Sequence, residues 1–300
     1  MGMTASTPRG RGASDNPGNR YRERQREAVD DGWTPAEPPP TQVVTEVRVD
    51  PSRSILSHND SPDVPFTQSL NAYRGCEHGC IYCFARPTHA YLDLSPGLDF
   101  ETKLLAKPRA AELLRAALAK PGYRCSTLAM GTNTDPYQPI ERTWRITRQA
   151  LELMAECRHP VSIVTKGALI ERDIDLLADL ARDGLVHVML SVTTLDRELA
   201  RRMEPRAAAP QRRIETIRRL NAAGIPTGVL VAPVVPVLTD PEMEAILAAA
   251  AGAGATGAGY VLLRLPLEVR DLFVDWLETH YPLKAAHVMS RVRELRGGRD

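Results

Sequence analysis

The sequence predicts an α/β protein, a partial (β/α)6 barrel of the TIM type, and three observations predict it. From about Phe66 onward, short apolar β-prone runs alternate with amphipathic helical stretches, the pattern of repeated β-α units on a parallel sheet. Six such units can be marked out. Gly184 and Gly224 fall just past helical patterns, where a left-handed C-cap suits glycine. Residues 66 to 300 are available for these units, slightly fewer than the ~250 that a complete eight-stranded barrel takes, so one side is expected to stay open.

The elements follow in order. Residues 1–42 are rich in Arg, Gly, Pro and Ser and finish in Pro38-Pro39-Pro40, so they cannot bury enough apolar surface to offset the entropy of ordering them. A disordered tail is expected, its Arg9, Arg11, Arg20, Arg22, Arg24 and Arg26 either solvated or touching nucleic acid. Residues 43–65 read as an extension, with alternation over 43–49 predicting a strand and Asp50-Pro51-Ser52 a turn. The barrel takes residues 66–300. Its strands are expected at 68–73, 127–131, 161–165, 186–192, 227–232 and 259–263. Helices are expected at 109–119, 145–157, 171–182, 212–223, 241–251, 269–278 and 283–295. The chain stops at Arg296-Gly297-Gly298-Arg299-Asp300 in the manner of a truncation.

Composition narrows the function. With 43% hydrophobic and 25% charged residues, the chain suits a soluble globular protein, and no apolar run approaches the length of a membrane span. The N-terminus lacks a secretory pattern. A net charge of +1 argues against a strongly basic nucleic-acid binder while leaving room for a local basic groove.

Three of the five cysteines stand at C-x3-C-x2-C spacing in Arg74-Gly75-Cys76-Glu77-His78-Gly79-Cys80-Ile81-Tyr82-Cys83-Phe84-Ala85-Arg86. Thiolates this close together face one point in order to coordinate something there, and thiolates select zinc, Cu(I) or iron–sulfur clusters. Gly75 and Gly79 relieve the backbone so that it can wrap an inorganic core. Such thiols need reducing conditions, so a cytoplasmic location is expected. A structural zinc site closes with four protein ligands; no fourth cysteine lies nearby, and His78 and His89 are the available substitutes. An iron–sulfur cluster with one open iron is the sharper reading.

The loop, C-x3-C-x-aromatic-C after a short strand, resembles the signature of radical S-adenosylmethionine (radical SAM) enzymes. The resemblance implies that Cys76, Cys80 and Cys83 hold three irons of a [4Fe–4S] cluster. It also implies that S-adenosylmethionine chelates the fourth iron and is cleaved reductively to a 5′-deoxyadenosyl radical, with Tyr82 packed near the adenine. From about Val47 onward the chain is similar to the branch that contains spore photoproduct lyase. Its marks here are Ser61-Pro62-Asp63, Asn71-Ala72-Tyr73-Arg74-Gly75-Cys76, Thr134-Asp135-Pro136-Tyr137-Gln138-Pro139-Ile140-Glu141, Glu204-Pro205-Arg206 and Arg264-Leu265-Pro266.

In parallel α/β folds chemistry collects at the carboxyl ends of strands, where loops converge over a rigid sheet. The second strand ends in Gly131-Thr132-Asn133-Thr134-Asp135. By resemblance this position holds the cofactor's amino group, which makes Thr134 and Asp135 candidates, although the family's Gly-Gly-Glu form is absent. Lys166, ending the third strand, can pair with the cofactor carboxylate or hold ribose hydroxyls, and Ser191, ending the fourth, can donate to the same carboxylate. Arg206 or Arg213 is expected to bind a cofactor or substrate anion, with Glu204 holding the guanidinium. Arg201, Arg202, Arg206, Arg212, Arg213 and Arg264 are expected to form a positive field on the open side. Cys125 and Cys157 are expected as ordinary buried cysteines.

The expected function is a radical SAM enzyme of unassigned reaction, fed by an electron donor such as flavodoxin or ferredoxin, with a nucleic acid among the substrates to consider. The alternative is a zinc site that only stabilises a fold or mediates binding. Spore photoproduct lyase uses a cysteine on the second-strand loop to return a hydrogen. Met130-Gly131-Thr132-Asn133-Thr134-Asp135 has none, so that particular activity is not expected.

Overall fold

The computed structural model describes residues 8–21, 43–62 and 64–298; Arg22, Arg24, Arg26, Pro38-Pro39-Pro40 and Asp63 lie outside them. The chain first lays down β1 (Glu46–Val49), β2 (Leu56–His58), β3 (Gln68–Leu70), β4 (Tyr73–Arg74), α1 (Leu98–Thr102), β5 (Lys103–Ala106) and α2 (Ala110–Leu118). Strands and helices then alternate: β6 (Leu128–Met130), α3 (Glu141–Trp144), α4 (Ile146–Glu156), β7 (Val161–Thr165), α5 (Ile174–Arg182) and β8 (Val186–Ser191). The rest is α6 (Arg197–Met203), α7 (Pro210–Ala222), β9 (Thr227–Val234), α8 (Met243–Gly252), β10 (Ala258–Leu262), α9 (Val269–His280) and α10 (Pro282–Leu295).

The result is a mixed α/β fold. In its main sheet β3, β6, β7, β8, β9 and β10 lie side by side in parallel, in chain order, and β2 adds antiparallel to β3. These six parallel strands fall where the sequence places them, β7 over the same residues. A sheet covered on both faces needs strands without a polar face, and Leu128, Ala129 and Met130 of β6 are all buried. Helices cover it through single apolar stripes; α4 buries Ile146, Ala150, Leu151, Leu153 and Met154. Gly184 and Gly224 are left-handed, as their positions after α5 and α7 require. A second sheet joins β1 in parallel and β4 antiparallel to β5, with Val47 opposite Leu104 and Tyr73 opposite Ala106.

The C-terminal helix pair serves the cysteine loop rather than the sheet. Phe273, Trp276, Leu277 and Val288 form one apolar cluster with Ile81 and Tyr82 of the loop and Leu199 and Met203 of α6. Helix α6 is too short and too charged to show periodicity; Asp196 starts it by accepting the N–H groups of Glu198 and Leu199. No helix among the described residues is long and apolar enough to cross a membrane.

Three expectations are corrected. Residues 8–21 are not a free tail, because backbone and side-chain partners of the folded domain satisfy them: the Arg11 guanidinium is buried against the carbonyls of Glu101 and Val43 and is unavailable to a nucleic acid. Arg20 is held by Glu268 at 3.1 Å. Cys125 and Cys157 are exposed, since one precedes β6 in an open loop and the other caps the end of α4 on its solvent side.

Candidate metal centre

The cysteine loop runs from Gly75 to Ala85 between β4 and a 3-10 turn at Arg86–Leu92. Several of its backbone groups are tied to other elements. Cys76 N–H donates to Phe100 O at 3.0 Å, Ile81 N–H to Met203 O at 3.0 Å, and Arg206 N–H to His78 O at 3.2 Å. Gln138 clamps the first turn, taking the Glu77 N–H at 2.9 Å and donating to Gly75 O at 3.2 Å. Arg86, fully buried, donates to Cys80 O at 2.9 Å and Gly79 O at 3.3 Å, with its charge met by Glu101 at 2.5 Å. At Gly79 the backbone is left-handed and a Cβ would lie 2.7 Å from the Glu101 carboxylate, so no larger residue fits.

Cys76 and Cys80 are buried and Cys83 half-buried, all three as free thiols. Burial above all pushes the Cys80 thiol up to about 12, against the opposing pull of Lys166 and Arg213. Such thiols give up their protons to a ligand that supplies positive charge. Neither histidine completes a zinc set. His78 Nδ1 lies 3.3 Å from Asp135, and His89 is buried against Phe100 with Nε2 3.0 Å from Lys103 O; burial lowers its pKa to about 4. Among the described residues no three thiol, imidazole or carboxylate groups converge as a single ion needs. The thiolates of a cluster need not converge so closely, because each holds a different iron. The donor set fits a cluster.

The other expected residues divide into groups. Tyr82 and Lys166 meet at Glu204, a residue the sequence suggests only as a guanidinium holder, and Ser191 joins them through Lys166. Its carboxylate accepts from Tyr82 OH, from Thr193 Oγ1 at 2.7 Å and from Arg213, with Lys166 Nζ 3.8 Å away. Burial alone would raise the Glu204 pKa, but the Arg213 and Lys166 charges and the two hydroxyls hold it down to about 2. Lys166 Nζ donates to Ser191 Oγ at 2.5 Å and Ala232 O at 3.2 Å, and stands 5.8 Å from the centroid of the Tyr82 ring.

Asp135 and Thr134 serve the loop. Asp135 accepts from Thr165 Oγ1 at 2.6 Å, Tyr137 N at 2.8 Å and Lys166 N at 2.8 Å, and faces His78. Burial opposes its ionisation, and the imidazole and these donors outweigh burial to hold it at about 2. Thr134 Oγ1 donates to Tyr73 O at 3.1 Å. Arg206 is not brought to this pocket; it pairs with Glu77 at 3.1 Å on the flank. Arg213 is buried and spent on Glu204, Ser191 O and Ala208 O, which corrects its expected role toward a bound anion. The signal for Glu204 was Glu204-Pro205-Arg206 itself, but its partner lies nine residues on, across a turn that spacing does not show.

The model of the Radical SAM superfamily matches residues 70–250, which include the cysteine loop and five of the six parallel strands' carboxyl ends. The chain belongs to the radical SAM superfamily. An uncharacterised protein of Mycobacterium tuberculosis is 42% identical over 234 residues, 77% of this radical SAM chain and 68% of that one. An uncharacterised protein of Methanocaldococcus jannaschii is 27% identical over 173 residues, 58% of this chain and 62% of that one. Among solved structures, spore photoproduct lyase with bound AdoMet and dinucleoside spore photoproduct superposes with a TM-score of 0.56 at 16% identity, covering 79% of this chain and 66% of the lyase. At that identity the likeness is one of fold.

Proposed function

We propose that this protein is an enzyme that holds a [4Fe–4S] cluster through Cys76, Cys80 and Cys83 and cleaves S-adenosylmethionine reductively, yielding a 5′-deoxyadenosyl radical that takes hydrogen from a substrate. The observation that carries the reading is the cysteine loop: three thiols, two engaged histidines and a scaffold that ties the loop backbone to four other segments. When bound, the cluster supplies one electron to the cofactor sulfonium.

The chain's own residues supply position and charge. Lys166 and Ser191, at the carboxyl ends of β7 and β8, take the cofactor's carboxylate or ribose hydroxyls, at the cost of their mutual hydrogen bond. Tyr82, fixed by Glu204, lies beside Lys166. Asp135 keeps the carboxyl end of β7 against the loop through Lys166 N–H and Thr165. The six parallel strands form the partial barrel, open along β10, and an external one-electron donor such as flavodoxin or ferredoxin reduces the cluster. A reducing cytoplasm suits thiols of this kind.

The substrate is proposed as a nucleic acid, on the strength of the fold likeness and a modest set of free cations. Four of the six arginines expected on the open side are committed: Arg202 to Glu198, Arg206 to Glu77, Arg212 to Glu171 and Arg213 to Glu204. Arg201 and Arg264 have no carboxylate partner among the described residues, nor has Arg197, and Arg197 and Arg201 line a half-open cleft of about 450 Å³ between α6 and α7. Anaerobic incubation with dithionite and S-adenosylmethionine tests the enzyme reading, with 5′-deoxyadenosine as the expected product. Purified protein that carries zinc and no acid-labile sulfide would establish the structural-zinc alternative instead.

A further inference from the structure

Residues 11–20 belong to no helix or sheet, yet they are bound along their length to the segment that follows the cysteine loop. Arg11 Nη1 donates to Glu101 O at 3.0 Å, and the N–H groups of Gly12 and Ala13 donate to the Glu101 carboxylate at 2.9 and 3.0 Å. Asn16 and Asp99 exchange two hydrogen bonds, of 3.1 and 2.8 Å. Leu98 N–H reaches Asp15 O at 2.9 Å and Ser95 Oγ reaches Pro17 O at 2.7 Å. Arg20 then ties the far end to Glu268, at the head of α9.

Glu101 is the pivot. Its fully buried carboxylate takes two strap amides on one side and the Arg86 guanidinium on the other, and Arg86 in turn holds Gly79 O and Cys80 O. The contact with the loop is also direct, since a Cβ on Gly12 would lie 1.9 Å from Gly79 O. Without the strap, the Glu101 carboxylate would lose two of its donors, and the group that holds Arg86 against the turn between the first two cysteines would be less firmly placed. The segment lies outside residues 70–250, which match the superfamily.

We infer that residues 11–20 form a strap that is part of the metal centre: its docking fixes the Gly79–Cys80 turn, so strap docking and cluster loading favour one another. Coupling of this kind is reciprocal. The inference rests on the proposed reading of the loop as a cluster site. Gly12 and Glu101 act as positioning residues, through the backbone of the loop and not on the reacting atoms.

The test uses the full-length chain, before and after anaerobic loading with iron and sulfide, and follows amide hydrogen exchange together with metal content. Loading should slow exchange at the bonded amides of Gly12 and Ala13 by about tenfold or more, because opening the strap would then disturb the loaded loop. Gly12→Val should keep the cooperative unfolding of the barrel while lowering iron and sulfide per chain and speeding bleaching in air. Asn16→Ala, which loosens the strap further from the loop, should do the same to a smaller extent. Loaded wild-type protein in which strap exchange is unchanged, or a Gly12→Val variant with full iron and wild-type bleaching, would overturn the strap alone. Wild-type protein that takes up no iron and sulfide would instead overturn the reading of the loop.

Discussion

The phenol of Tyr82, between the second and third cysteines, donates its hydrogen bond to the carboxylate of Glu204, which begins the turn from α6 to α7. The same carboxylate holds Arg213, so one buried group joins the cysteine loop, the end of β8 and helix α7. Burial above all keeps the Tyr82 hydroxyl protonated, and therefore a donor, at any pH the protein meets.

Glu204→Ala should be strongly destabilising, because it strands the Arg213 guanidinium in a site only 1% exposed. Breaking a buried pair from one side typically costs about 3–5 kcal/mol. Glu204→Leu combined with Arg213→Met should cost clearly less than the sum of the single changes. Urea denaturation of the wild type, Glu204→Leu, Arg213→Met and the double variant measures this, and strictly additive losses would mean that the two charges are not coupled.

Acid should release the same pair. The Glu204 pKa, about 2 in the fold against an ordinary 4.5, is depressed. Its contribution is therefore fully present above about pH 4.5 and is lost as pH falls toward about 2. Between pH 6 and 3 the wild type should lose more stability than the Glu204→Leu, Arg213→Met double variant. Parallel curves for the two proteins would remove Glu204 from the account of acid sensitivity.

Reconstituted wild-type protein should bind about four irons, and Cys80→Ala should lose the cluster's absorption together with 5′-deoxyadenosine release, since each thiolate holds a different iron. A full iron complement in Cys80→Ala would count against the ligand assignment.

Lys166→Met separates a cofactor contact from a purely structural one. If Lys166 meets the cofactor carboxylate, affinity for S-adenosylmethionine should fall by about 1–3 kcal/mol, a charge-assisted bond lost from a mostly buried site. Calorimetry on loaded protein reports this directly. Weaker folding with unchanged affinity would confine Lys166 to its bonds with Ser191 and Ala232.

Binding to DNA at low salt should be measurable but shallow in its salt dependence. Each neutralised phosphate contributes about 0.9 to the slope of log affinity against log salt, and with few free arginines the slope should stay near −2. Arg197→Ala with Arg201→Ala should flatten it further. Absence of any affinity at low salt would turn the substrate search toward peptides and small molecules.

The parallel strands were legible because each is a short apolar run between helical patterns, a local property of the chain. The cysteine loop was legible for the same reason: its ligands are contiguous, and their spacing carries the chemistry. Arg11, Gly12 and Ala13 gave no such signal. They lie in a stretch poor in apolar residues, and they are ordered by Glu101 some ninety residues away, through the Arg11 guanidinium and two backbone amides that no composition reveals. The carboxylates followed the same division. Spacing singled out Glu204 and Asp135, but whether each meets a cofactor, an arginine or a backbone amide depends on which strand ends the fold brings together. The apolar runs carry the parallel α/β plan, and the C-x3-C-x2-C spacing carries the three candidate thiol ligands. That Glu204 binds Arg213 rather than Arg206, that Asp135 faces His78 of the loop, and that the amides of Gly12 and Ala13 dock on Glu101 follow from the packed fold alone, because these contacts join separate segments and their energies depend on burial and not on spacing.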